Sequence, residues 1–169
     1  MLALRRSAPA TVRTLTRAMA TEAKMVTFKI AGECEGTRAV VKARTHEFVM
    51  DEPKHLNGTD TGMNPLEATL SALTGCKTIT MGSIARRLGL KIGRITVPSV
   101  EGSFDPRGFM GVPGVKAGFQ VIKMEMVVHD TDATQEQLDE LLSVTSQCCP
   151  VASTMHDAGV QMDVTIRAA

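Results

Sequence analysis

Two cysteines in this chain sit where thiol chemistry is possible. Cys76 falls in the run Leu73-Thr74-Gly75-Cys76-Lys77-Thr78, inside a long helical pattern. Its neighbours at helical spacing are Thr69, Ala72, Leu73, Ile79, Thr80 and Ser83, mostly apolar or hydroxyl-bearing. Cys149 stands directly before Pro150, the position of a helix N-cap. A helix N-terminus stabilises a thiolate and lowers the pKa of a cysteine placed there. The competing role for Cys76 is a small core hydrophobe, a common fate of a cysteine outside any motif. Cys34 and Cys148 have no comparable context and read as structural.

Other chemistries fit less well. Cys148, Cys149 and His156 are close in sequence, but there is no C-x-x-C pair, and His46, His55 and His129 are scattered. Adjacent cysteines ligate one tetrahedral zinc poorly, so no metal site is expected. The glycines of Asn57-Gly58-Thr59-Asp60-Thr61-Gly62 lack the Lys-Ser/Thr ending of a phosphate loop. No nucleophile elbow is present for a Ser-His-Asp hydrolase.

The elements that must position the cysteines are legible in part. Met25–Ile30, Arg38–Ala43 and Glu47–Met50 read as strands of a meander, followed by a polar loop over 51–64. Asn64, Pro65 and Glu67 form an N-cap, an N1 proline and the far half of a capping box. The helix they open runs from Leu66 to Leu88, roughly 35 Å, and closes with Arg86, Arg87 and then Gly89 as C′. From Leu66 to Gly82 its only charges are Glu67 and Lys77, which predicts a helix buried on most sides. Lys91–Ser103 reads as a strand and 104–118 as a Gly- and Pro-bearing loop. Phe119–His129 alternates, with Ile122, Met124, Met126 and Val128 toward the core. Asp132 or Thr134 caps a helix through Gln147, with Leu138, Leu141, Leu142 and Val144 as its apolar stripe. A second short helix opens at Cys149-Pro150 and ends at Gly159; Val160–Arg167 is a last strand. This order implies an α+β fold.

Composition excludes several function classes. Of 169 residues, 43% are apolar, enough for a core, and no apolar run reaches 18 residues, which excludes a membrane-spanning helix. Only five aromatic residues occur, all Phe, so base-stacking platforms are missing. Four cysteines are too sparse for a disulfide-stapled miniprotein. Residues 1–21 hold four Arg and five Ser or Thr with no acid. That pattern predicts a mitochondrial transit peptide over 1–24, and hence a matrix location, with a disordered basic arm as the alternative. Without those four Arg, fifteen basic residues face eighteen acidic ones, a net charge of −3. A net-acidic body argues against nucleic acid as a partner.

The stretch Asp51-Glu52-Pro53, Gly58, then Asp60-Thr61-Gly62-Met63-Asn64-Pro65-Leu66-Glu67, followed by Cys76 on a helix, resembles the OsmC/Ohr superfamily. These are the osmotically induced protein C and organic hydroperoxide resistance proteins. Cys149-Pro150-Val151-Ala152-Ser153 resembles the family's second cysteine motif, and the likeness spans roughly 25–167, closest to the OsmC-like branch. The resemblance implies two small antiparallel sheets around long central helices, shared in an intertwined homodimer. It implies a thiol-dependent peroxidase that reduces organic hydroperoxides without a cofactor. Cys76 would be the attacking thiolate that becomes a sulfenic acid, and Cys149 would condense with it to a disulfide. A lipoyl group or another dithiol would then reduce the disulfide. In the family an Arg and a Glu support the attacking cysteine. Arg38 corresponds to that Arg, with Arg44 as its rival. The Glu directly after Asn-Pro is replaced here by Leu66, and Glu67 follows one position later. At about 100° per residue, nine steps set Glu67 on the opposite side of the helix from Cys76. Asp51, Glu52 and Asp60 are the other candidate acids. The alternative activity is a module that binds apolar ligands or senses redox state.

Overall fold

The computed structural model describes residues 24–169, so the transit-peptide expectation for 1–24 lies almost entirely outside the described residues. The chain is α+β, with two three-stranded sheets and a set of packed helices. The first sheet is an antiparallel meander of β1 (Ala31–Glu35), β2 (Arg38–Ala43) and β3 (His46–Met50). The second contains β4 (Ile95–Ser103), β5 (Val121–Val128) and β6 (Gln161–Ala168), with β5 in the middle. The helices are α1 (Pro65–Leu88), the single-turn α2 (Pro106–Phe109), α3 (Gln135–Cys148) and α4 (Pro150–Asp157).

Local signals explain the helix ends. Asn64 accepts from the Glu67 N–H at 2.9 Å, and the Glu67 carboxylate accepts from the Asn64 N–H at 2.8 Å, a closed capping box. Gly89 ends α1 in the left-handed conformation at φ 70°. Thr134 and Gln137 build a second capping box at the start of α3.

Three expectations need correction. The second sheet is mixed, because β6 runs parallel to β5. The reason is the connection: α3 and α4 lie between the two strands, and a helical crossover returns the chain to the edge where β5 began. Residues 25–30 form no strand; the first strand begins at Ala31. Helix α1 is not buried on most sides of a single chain. It buries one stripe, Leu73, Lys77, Met81, Ile84 and Ala85, and leaves Ile79 76% exposed.

The core lies between the second sheet and the helices. Ile122, Met124, Met126 and Val128 of β5 face Leu73, Met81 and Ile84 of α1 and Leu138, Leu141 and Val144 of α3. The first sheet stands outside this core. Among the described residues, Val40 is its one buried apolar side chain.

The loop between β3 and α1 is held by Asp51, only 1% exposed. Its carboxylate accepts from the Thr37 hydroxyl at 3.0 Å, from the Thr59 N–H and hydroxyl, and from the Thr61 N–H and hydroxyl. The Thr59 hydroxyl bond does most to hold the Asp51 carboxyl well below the usual carboxylate range, and it outweighs the opposing effect of burial. Asp51 is thus a staple of the loop rather than a free acid. Because its folded pKa lies below its unfolded one, the stabilisation is complete above pH about 4 and drains away as pH falls further. Asp51→Ala is therefore expected to lower the melting temperature at pH 7 by about 5 °C or more. It should also flatten the acid limb of stability between about pH 4 and 2. An unchanged acid limb in thermal melts would refute this role.

Candidate functional site

Three helices bring the two cysteines together. Cys76 lies in the fourth turn of α1; Cys149 is both the last cap of α3 and the N-cap of α4. The sharp α3–α4 joint follows from Pro150, which cannot continue α3 but suits the first position of α4. Packing of α1 against α3 and α4 then sets the sulfurs 3.3 Å apart, the Cys149 thiol donating to Cys76 Sγ. The two sites differ in access. Cys76 is partly exposed, while Cys149 is 0% exposed. Both are free thiols, and 3.3 Å is a contact that must shorten to about 2.05 Å to become a disulfide.

The N-cap expectation for Cys149 holds in position but not in effect. Burial pushes its thiol up from the ordinary value, and the neighbouring Cys76 sulfur adds to the rise. The backbone N–H groups of Ala152 and Val151 pull the other way, but no capping hydrogen bond closes on the sulfur. Desolvation outweighs them, so the net shift of the Cys149 thiol is upward.

Lys77 is the residue that the sequence reading passed over. It is 1% exposed, and its ammonium donates to Ser146 Oγ at 2.9 Å. Burial lowers its pKa, and the nearby Cys149 sulfur opposes that shift. The signal was present in the sequence: a solitary cation in an otherwise apolar stretch of helix.

The other candidates lie elsewhere. Arg38 is exposed at the start of β2, in register with Glu35. Arg44 occupies the β2–β3 turn in the left-handed conformation at φ 59°. Neither makes a hydrogen bond or ion pair with Cys76 or Cys149 among the described residues. Glu67 is engaged in the capping box and lines a groove on α1 with Leu70, Ser71 and Thr74, away from Cys76. Glu52 is half-buried, and its carbonyl accepts from the Asp60 N–H at 3.2 Å. Asp60 is exposed and left-handed, at φ 61°. The one side-chain hydrogen bond to Cys76 among the described residues comes from Cys149. No group of three or more His, Cys, Asp or Glu able to hold a metal occurs among the described residues.

The fold has solved counterparts. An OsmC-like protein from Mycoplasma pneumoniae superposes with a TM-score of 0.73 at 21% identity, covering 85% of this chain and 98% of that one. An organic hydroperoxide resistance protein from Elizabethkingia anophelis, with crystallant-derived thiocyanate bound, gives 0.65 at 20% identity over 86% and 99%. The organic hydroperoxide resistance protein OsmC from Legionella pneumophila gives 0.63 at 16% over 85% and 98%. At these identities the likeness concerns the fold alone. No curated protein sequence matches the chain. The family model for OsmC-like protein, however, matches residues 58–165, which take in both cysteines and all the helices that bring them together. That match spans well over half of the sequence, and the chain belongs to the OsmC-like protein family.

Proposed function

We propose that this protein is a thiol-dependent peroxidase that reduces organic hydroperoxides. One observation carries the reading: a partly exposed sulfur, Cys76, within 3.3 Å of a buried thiol, Cys149, in a family whose solved members include organic hydroperoxide resistance proteins. Cys76 takes the attacking role because it is the sulfur that a substrate can reach. As a thiolate it attacks the outer peroxide oxygen; an S–O bond forms, the O–O bond breaks, the alkoxide leaves and takes up the proton released on ionisation of the thiol to become the alcohol, and Cys76 becomes a sulfenic acid. The Cys149 sulfur then attacks Cys76, water leaves, and a disulfide forms. A dithiol, such as a dihydrolipoyl group, returns two electrons and restores both thiols.

The reading extends to a homodimer. Phe28 is 90% exposed, Ile79 is 76% exposed, and the first sheet lacks a covering layer. A second copy would cover these surfaces and could carry Arg38 or Arg44 to Cys76.

Steady-state assays with tert-butyl hydroperoxide and hydrogen peroxide, each with dihydrolipoamide or thioredoxin, test the proposal on protein whose mass is read by light scattering. Faster consumption of the organic peroxide with the dithiol, a mass near twice the subunit, and a Cys76–Cys149 peptide after oxidation are expected. No consumption with either donor would sink it and favour the ligand-binding or redox-sensing reading, which the absence of any second hydrogen-bond partner for Cys76 among the described residues supports.

A further inference from the structure

A cavity of about 340 Å³ is walled by α1, α3, α4 and β6, with the exposed Gln147 and His156 in its lining. Its one buried charge is the Lys77 ammonium. Among the described residues that ammonium has a single hydrogen-bond partner, Ser146 Oγ, and the Ser146 hydroxyl spends its own proton on the Leu142 carbonyl at 2.9 Å. An ammonium carries three donors, and Ser146 takes one of them. No aspartate or glutamate lines the cavity, and no salt bridge reaches Lys77. The group whose charge bears on Lys77 is Cys149, whose thiol burial pushes up. A buried cation without a counter-anion is costly, and a protein rarely retains one unless something partners it.

The rest of the lining says what kind of anion would fit. Leu142, Met162 and Val164 give an apolar wall, and Ser153 supplies a second hydroxyl. The volume lies at the small end of ligand pockets, which run ~300–1,000 Å³. A medium-length aliphatic chain matches the wall, and a carboxylate supplies acceptors for the ammonium donors. We infer that this cavity is a binding site for a medium-chain aliphatic monocarboxylate, its carboxylate on Lys77 and its chain along Leu142, Met162 and Val164. The inference does not depend on peroxidase activity.

Calorimetric titration of the reduced full-length chain with octanoate and with octan-1-ol tests it. Octanoate should bind saturably, one per chain, and octanol at least about tenfold more weakly. Lys77→Met should weaken octanoate about tenfold or more, and Ser153→Phe, which fills the cavity but keeps the ammonium, should abolish binding. Absence of saturable octanoate binding, equal affinity for octanol, or full binding by Ser153→Phe would each overturn the assignment. Circular dichroism reports whether Lys77→Met folds; should it not, the alcohol comparison and Ser153→Phe decide the question alone.

Discussion

Cys76→Ser is expected to lower peroxide turnover about a thousandfold or more, the usual scale for removing a nucleophile. A serine hydroxyl is a far weaker nucleophile than a thiolate and has no counterpart of the sulfenic acid, so the first electron transfer is lost. Cys149→Ser should behave differently. The attacking sulfur remains, so one equivalent of peroxide is consumed per site before turnover stalls. Cys76 is then left as a sulfenic acid that a dione probe captures. This split depends on the observed asymmetry, one sulfur partly exposed and the other at 0% exposure. The reverse pattern, with Cys149→Ser losing the first turnover and Cys76→Ser keeping it, would exchange the two roles. Cys148 provides an internal control. It is exposed, yet it belongs to the last turn of α3 and makes no contact with Cys76 among the hydrogen bonds described. An oxidised peptide joining Cys76 to Cys148 would transfer the resolving role to it.

The features that were legible in the sequence are those set by local chemistry. The Asn64–Glu67 capping box, Pro65 at the start of α1 and Gly89 at its end need no information beyond a few neighbouring residues. The alternation of β5 also placed its core face correctly, because a strand period of two is fixed by the backbone. Features set by distant packing were not legible. The parallel pairing of β6 depends on how α3 and α4 cross the sheet, and strand patterning does not encode direction. The strand expected at 25–30 has the right residue types but pairs with no strand among the described residues. At the site, the residues 76 and 149 are 73 positions apart, and their pairing came only from the family resemblance. The helix N-terminus at Cys149 was visible, but the competing burial was not, and burial decides the direction of its pKa. Lys77 shows the same limit. Its isolation among apolar residues was evident, whereas the Ser146 contact and the cavity needed three helices in place.

The loop over 51–64 carries the second large effect, at Gly58. A Cβ built there would stand 1.7 Å from the Glu52 carbonyl oxygen and 2.8 Å from Glu52 Cα. Both are backbone atoms, so no side-chain rotation relieves the overlap. The loop would have to open, and two hydrogen bonds run through this point: the Gly58 N–H to the Pro53 carbonyl and the Asp60 N–H to the Glu52 carbonyl, each at 3.2 Å. Opening also pulls Thr59 and Thr61 from Asp51 Oδ2, which then loses its donors. Gly58→Ala should therefore cost roughly 3 kcal/mol and lower the melting temperature by about 6–12 °C. Gly36 is the matched comparison. It is left-handed at φ 59°, but nothing lies within 4 Å of a Cβ added there. Gly36→Ala should cost only the conformational term, about 1–2 kcal/mol. Equal melting temperatures for the two variants would show that the close approach at Gly58 is not what holds the loop. If Gly58→Ala alone is strongly destabilised, the glycine is required by the packing of backbone on backbone. The same loop delivers Asn64 to the start of α1, so its order bears on where Cys76 begins its approach to Cys149.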